Sequence, residues 1–544
     1  MHDFAPKHEF AEKLRELATL MEFTDANPFR IRALEKGADA VASAEVDLQE
    51  MASGRAKVSG IGEGIRGLIK EYIETETLSE LEALQKQVPQ SLVQLRSIPG
   101  LGAKKIIVLN KELGIQSLGE LEYACRENRL VNIKGFGAAT QRKILRAIDQ
   151  IKVNSKKMRL DEAKLFFLEL SKKCKEKFQI EIAPAGALAR SLEVVEVIEV
   201  LIKNHRKTKN LENIFDGEFS LEKTKYFSKL KGELTIHLRK FPVHFFFSEK
   251  ALPDIYFYAE PSILEKVVAD AKYENWRASW LEPIWVENRD SIQGLYRLDK
   301  SPPVQGIFHC HTTYSDGGDS IEEMIRTAQN SGYSYIGIAD HSQSAFYARG
   351  LRTEDIQRQI EEVRGLQKKF SIKIFYGIES DILADGSLDY DSKTLMLFDF
   401  VIGSIHSRFQ MDSEKMTQRI CTALENPFMT MWGHPSGRLL LSRDSYGLNW
   451  EKVLKTAAQN GVVVELNANP YRLDIDWRYG GLLEKNGNLI CINPDAHGVD
   501  EIKYTDLGLN IAEKAMIREE QVLNLYDVDR MEKFLWQRKK RVQI

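Results

Sequence analysis

From about residue 305 onward one pattern recurs, and it leaves few folds open. Short apolar stretches at 335–339, 374–378, 400–405, 462–466 and 489–493 alternate with helical segments such as 320–330 and 355–369. Stretches that are apolar throughout suit strands buried on both faces, and the helices supply the crossovers. The pattern predicts a parallel βα sheet, most simply a barrel. Barrel sites collect at the C-terminal ends of the strands, and here strand after strand ends in a metal-ligating side chain. The first is Phe308-His309-Cys310-His311-Thr312, followed by Asp316 in a Ser-Asp-Gly-Gly turn. Alternation along a straight strand would aim His309 and His311 at one face. Asp340-His341, Glu379, His406, His434 and Asp495 with His497 follow.

Any one of these histidines, taken singly, reads as an ordinary buried or surface residue. Of the 11 histidines, however, the six beyond residue 300 are all at these positions. Together with Asp316, Glu379 and Asp495 they exceed what one zinc ion uses. The set suits a cluster of two or three divalent ions (manganese, zinc or iron) bridged by a carboxylate, with Glu379 the candidate, and a hydroxide.

A chain of 544 residues is too long for one core, so three or four domains are expected. Its net charge of −3 argues against a basic nucleic-acid binder as a whole and leaves room for a local basic face. The five cysteines are scattered without a CxxC pair, which fits free thiols in a reducing, cytoplasmic setting. No leading apolar run is present, and no stretch approaches the roughly 18 apolar residues of a membrane span. No membrane partner is expected, and a monomer is.

The first 150 residues read as helical. Apolar residues recur at helical spacing over 9–22, and Asn27-Pro28-Phe29-Arg30 opens a second helix. A Gly-apolar-Gly pattern then appears three times: Gly60-Ile61-Gly62 with Gly64, Gly100-Leu101-Gly102, and Gly135-Phe136-Gly137. Each lies between two helical stretches. Such glycines let backbone approach a ligand, and the amides opening the second helix make an anion site. This is the physics of a helix-hairpin-helix motif, which holds a DNA or RNA backbone without reading bases. One copy is a weak signal, since Gly-x-Gly also ends helices; the repetition strengthens it. Lys104, with Lys105, Lys134, Arg142 and Lys143, stands where it could add phosphate contacts, although each alone reads as a solvated side chain.

The Asn27-Pro-Phe-Arg-Ile-Arg-Ala33 segment and the three hairpins, in this order, resemble the N-terminal half of bacterial family X DNA polymerases. The resemblance implies a multidomain chain. It would have an all-α helix-hairpin-helix region (1–88 with the first hairpin, 89–155 with the other two) and an α+β nucleotidyltransferase palm (156–290). A linker (291–304), marked by Ser301-Pro302-Pro303, would lead to a C-terminal distorted βα barrel (305–544). The palm is where the resemblance fails. The family carries Gly-Ser, an Asp-x-Asp strand and a third Asp, because two magnesium ions must be clamped around the transferring phosphoryl group. Here Gly186-Ala187, Val197-Ile198-Glu199 and His244 stand in those places. Glu193, Glu196 and Glu199 are an alternative carboxylate cluster, with Glu196 expected on the surface. A degenerate palm is expected. A lyase is not, because the family's Schiff-base lysine position holds Leu68, with Lys70 nearby.

The C-terminal ligand set, from His309-x-His311 to Asp495-x-His497, resembles that of the PHP (polymerase and histidinol phosphatase) family. One departure is that Ile307-Phe308 stands before His309, where many members have an aspartate that would orient a ligand. The resemblance implies a metal-dependent phosphoesterase in which clustered cations supply hydroxide near neutral pH. Glu379 and His341 are the expected catalytic-centre ligands, and Arg349 and Arg472 the candidate phosphate-binding cations. Asp340 is expected either to orient His341 or to touch a metal, and Asp381 and Asp474 are lesser candidates. The combined reading is a DNA-binding enzyme that removes nucleotides or blocking phosphates at a DNA 3′ end. Its rivals are an active family X polymerase with exonuclease, a histidinol-phosphatase-type small-molecule phosphatase, and a non-catalytic DNA-binding scaffold.

Overall fold

The computed structural model describes residues 5–540 apart from 25, 45, 56, 153–155, 203–218, 224–227, 237–238, 248–254, 260, 264–280 and 288–303. Most of the expected linker, including Ser301-Pro302-Pro303, lies outside the described residues. Contacts group the chain into two compact units, Met1–Glu122 with Lys143–Ile148, and Tyr123–Arg142 with Asp149–Ile544.

The first unit is helical, as its periodicity predicts. Helices Ala5–Met21, Pro28–Ser43, Glu63–Thr75 and Ser79–Gln87 bury Phe10, Leu14, Leu17, Leu34, Ala38 and Ile69 in one core. Asn27 caps the second helix by accepting from the Phe29 amide at 2.9 Å, with Pro28 supplying its preset φ at the first helical position. The hairpins form at the expected places. Gly60 and Gly100 have φ of +94° and +86°, a region open to glycine at little cost. Gly62 and Gly102 then cap the helices Glu63–Thr75 and Ala103–Leu113.

In the second unit, the third hairpin repeats this geometry, with Gly135 at φ +92° ahead of the helix Ala138–Lys152. Strands β1 (Met158–Arg159) and β3 (Val194–Val195) pair with each other. A five-stranded sheet follows from β2 (Ile182–Pro184), β4 (Ile198–Ile202), β5 (Ser220–Lys223), β6 (Ser228–Ile236) and β7 (Arg239–Phe247), in the order β2-β4-β7-β6-β5. Only β4 and β7 run parallel in it.

The expected barrel is present. Strands β8 (Gly306–Cys310), β9 (Tyr335–Ile338), β10 (Lys373–Asp381), β11 (Phe400–Ser404), β12 (Met431–Trp432), β13 (Val463–Asn467) and β14 (Ile490–Asn493) are all parallel and adjacent in sequence order. A parallel bridge between Cys310 and Ala496 nearly closes the ring. Strand β12 was not among the expected strands, because two residues carry no readable periodicity. The barrel is floored by one apolar cluster drawn from all seven strands, including Phe308, Phe375, Phe400, Met431, Val463 and Cys491. Gly337 and Gly377 make room for it, since a Cβ on either would lie within 3 Å of the Phe400 ring.

Candidate metal centre

The nine residues expected as ligands meet above that floor, at the C-terminal ends of the strands. Four overlapping groups form: His311, Asp316, His341 and His497; His309, Glu379 and His434; His309, His311 and Asp495; His341, Glu379 and His406. Glu379, near the end of β10, is shared by two of these groups, as are His309, His311 and His341. Its Oε1 lies 3.2 Å from His309 Nε2, 3.0 Å from His434 Nε2 and 3.3 Å from His406 Nε2. Its Oε2 faces His341 Nδ1 at 2.9 Å and His311 Nε2 at 3.6 Å. Asp316 stands 3.4 Å from both His341 and His497, and Asp495 3.4 Å from His309 and 3.3 Å from His311.

These spacings suit ions. Ligand atoms about 2.0–2.1 Å from a four-coordinate metal stand roughly 3.3 Å apart. The side chains are buried, yet His309 Nε2, both ring nitrogens of His311 and His341, His406 Nε2, His497 Nε2, Asp316 Oδ2 and Glu379 Oε2 make no hydrogen bond. Buried polar groups without partners are costly, and divalent cations would satisfy them. The donor set of imidazole nitrogens and carboxylate oxygens fits zinc, manganese or iron.

The backbone is bent to serve the site. His309, His434 and Asp495 have φ of +57°, +25° and +51°, conformations that non-glycine residues rarely adopt and that concentrate at functional sites. His309 and His311 share one pocket, with ring centroids 5.1 Å apart, but not by simple alternation. The β8–β9 register shifts between Ile307 and Cys310, and this irregularity turns His309 inward.

Electrostatics follow from crowding. Burial would raise the Glu379 carboxyl, but His309, His406 and His341 hold it well below the usual range. Burial would lower His497, yet Glu127 and Asp316 push it up to about 10. His311 is pushed down to about 3 by burial and by the neighbouring His497 and His341. Some imidazoles thus hold protons against burial while others are forced neutral. Metal binding, which needs deprotonated ligands, would exchange those protons for cations.

Two orienting carboxylates complete the centre. Glu465 accepts from His309 Nδ1 at 2.6 Å and from the His434 amide at 2.6 Å, and it is further held by Asn467 and Asn493. Asp381 bonds His406 Nδ1 at 2.6 Å. Such partners set the ring tautomer and direction. The orienting role assigned to a missing aspartate before His309 is therefore filled by Glu465. Glu465 is not among the residues singled out from the sequence, although a lone carboxylate inside the apolar strand β13 is a readable signal.

The remaining candidates divide. The Asp340 carbonyl accepts from the Glu379 amide at 3.0 Å, but its carboxylate bonds Thr312, Ser315 and Gln359 rather than His341. The carboxylate accepts from the Thr312 amide and hydroxyl at 2.7 Å each, from Ser315 at 2.5 Å and from Gln359 at 2.6 Å, so it pins the 312–316 turn. Arg472 is buried against the centre, 3.4 Å from Asp495 and bonded to the Tyr123 hydroxyl at 3.0 Å. Arg349 is exposed and donates to the Ser315 carbonyl. Asp474 accepts from the Ser436 amide. Among the hairpin residues, a Cβ on Gly62, Gly64, Gly100, Gly102, Gly135 or Gly137 would meet nothing within 4 Å, whereas one on Gly60 would approach Ala40 at 3.0 Å. Lys104 is exposed, while Lys105 bonds the Gly100 carbonyl at 3.1 Å.

The three palm glutamates do not cluster. Glu193 is buried against Arg438, Trp477 and Arg478; Glu196 is exposed beside Lys157; Glu199 lies opposite His244 in the β4–β7 register, 3.8 Å away.

A parallel barrel with this cluster at its strand ends is a metal-dependent phosphoesterase of the PHP class, and residues 308–469 match the PHP domain family. Residues 5–78 match a helix-hairpin-helix domain family. The chain as a whole belongs to the PolX family. It is 31% identical to the DNA polymerase/3'-5' exonuclease PolX of Bacillus subtilis, over 97% of this chain and 99% of that protein. Its barrel is also similar to two probable phosphatases. One, from Caldanaerobacter subterraneus subsp. tengcongensis, is 26% identical over 43% of this chain and 92% of the relative. The other, from Caldicellulosiruptor saccharolyticus, is 28% identical over 40% and 90%.

Proposed function

We propose that this chain binds DNA through its hairpins and, in DNA repair, hydrolyses phosphoesters at DNA 3′ ends, acting as a monomer in the cytoplasm. The observation that carries the reading is the meeting of the nine barrel residues, in groups that could hold metal ions, in a PolX-like chain that also carries helix-hairpin-helix segments. His309, His311, Asp316, His341, Glu379, His406, His434, Asp495 and His497 would hold two or three ions. Bound divalent ions would polarise a phosphoryl oxygen and activate water. Glu379 would bridge, since its two oxygens face different imidazoles. Glu465 and Asp381 would keep the lone pairs of His309 and His406 aimed inward.

The palm is read as inactive for nucleotide transfer. Glu199 bends onto the Gly186 turn, where a Cβ would strike its carboxylate at 1.7 Å, and it is paired with Lys229 at 3.7 Å. Val197 offers no ligand, and Glu193 is committed to the barrel. A single carboxylate beside a histidine does not supply what two magnesium ions require.

The test uses metal-loaded protein and a primer–template labelled at the primer 5′ end, with and without all four nucleotides. Wild type is expected to shorten the primer and never extend it. His341→Ala should lower shortening more than about 100-fold, beyond the loss typical of an outer-shell partner. Extension would overturn the inactive palm. Hydrolysis of a small phosphate ester without primer shortening would put the chain with its phosphatase relatives.

A further inference from the structure

The third hairpin does more than its glycine pattern suggests. Its leading segment, Tyr123 to Leu130, belongs to the same compact unit as the barrel, and it lies on the metal centre. Arg129 places its Nε 3.6 Å from Asp316 Oδ2 without hydrogen-bonding to it. Glu127 Oε2 lies 2.5 Å from one of the terminal guanidinium nitrogens of Arg129. The plane of the guanidinium stands over the Tyr347 ring at 4.7 Å and the Tyr123 ring at 5.5 Å. Tyr347 in turn lies against His341 and His406.

Only 14% of the Arg129 side chain is exposed. Glu127 balances its charge, but its Nε, beside a carboxylate that could hold a metal ion, makes no hydrogen bond, and a buried donor of that kind is costly unless an acceptor joins it. Asp316 would be neutralised by an ion it ligates, leaving Arg129 Nε beside that group with its hydrogen-bonding capacity unused. A guanidinium with one terminal nitrogen held by a carboxylate, aromatic rings beside it and its Nε unbonded is preorganised to offer that Nε to a phosphate oxygen. The two arginines expected to bind phosphate are less suited. Arg472 is committed to Asp495 and Tyr123, and Arg349 points to a backbone carbonyl.

We propose that Arg129, delivered by the third helix-hairpin-helix segment, binds the substrate phosphate at the metal centre. This deepens the phosphoesterase reading and rests on it. It also gives the hairpin a double task. Gly135 and Gly137, a few residues on, would hold the backbone of the same strand whose terminal phosphate Arg129 receives.

The test compares metal-loaded wild type with Arg129→Gln and Arg129→Lys. Inorganic phosphate binding is followed by calorimetry, metal content by elemental analysis, and hydrolysis with both a labelled primer and bis(p-nitrophenyl) phosphate. Arg129→Gln is expected to weaken phosphate binding about 10- to 100-fold, the scale of a charge-assisted bidentate contact. It should also slow both substrates at unchanged metal content, with Arg129→Lys intermediate. Wild-type phosphate affinity in Arg129→Gln would overturn the proposal. So would loss of metal, which would make Arg129 a structural support, or a defect on the primer alone, which would make it a DNA-backbone contact. Phosphate titration decides the point by itself. If His341→Ala proves as active as wild type, the nuclease reading falls while the role of Arg129 is still measured.

Discussion

Glu465 shows how much a single side chain can do without touching the chemistry. Its carboxylate fixes the ring of His309 and the backbone of His434, two ligands from different strands. Replacing it by glutamine keeps the volume but leaves His309 Nδ1 with a weaker acceptor and a free choice of tautomer. Glu465→Gln is expected to lower metal affinity about 10- to 100-fold, with activity recovering at high metal concentration. Titration against a competing chelator measures this, and unchanged affinity would remove Glu465 from the centre. Asp340 teaches the opposite lesson. Its neighbour His341 stands in the candidate centre, yet the Asp340 carboxylate is spent on Thr312, Ser315 and Gln359.

At the scale of elements, the hairpins and the short strands differ in how openly they announce themselves. A Gly-x-Gly hairpin is read from its residues because only glycine takes its φ cheaply. The structure repeats that φ at Gly60, Gly100 and Gly135. If the second hairpin holds a phosphate, Lys104, exposed at the start of its helix, adds one counterion-releasing contact. Lys104→Ala should then weaken DNA binding to the same degree for every sequence and reduce the slope of log K against log salt by about one. A salt titration by fluorescence anisotropy checks it; an unchanged slope would take Lys104 out of the interface. Strand β12 hid itself, because two residues between a loop and His434 carry no period. It becomes a strand only by pairing with β11 and β13.

At the scale of the whole molecule, the segment ahead of the barrel and the barrel share a buried polar seam. Lys514 Nζ bonds Glu282 at 2.8 Å and the Arg190 carbonyl at 2.9 Å, and it lies 4.2 Å above the Trp477 ring. Arg190 also pairs with Glu282 at 2.9 Å. Removing one member of a buried pair strands the other, at roughly 3–5 kcal/mol. Lys514→Ala should therefore cost about that much in urea unfolding, while metal content stays near wild type if the barrel keeps its shape. A change under 1 kcal/mol would show the seam to be dispensable. Glu193 belongs to the same seam, bound to Arg438, Trp477 and Arg478. Spacing alone makes it a candidate member of a carboxylate cluster, but its partners lie more than two hundred residues away.

The sequence by itself determined the βα alternation, the hairpins and the nine residues that meet in groups able to hold metal ions. Those signals are local: period, glycine, and a ligand where an apolar strand stops. Tertiary structure alone decided which carboxylates orient, which arginine faces the reaction space and what the palm glutamates do. Arg129 lies 187 positions before Asp316 in the chain and within 3.6 Å of it in space. Nothing in a stretch of residues records a contact that exists only after two distant segments have packed, because the energy of that contact depends on burial and approach, and neither is a property of the segment alone.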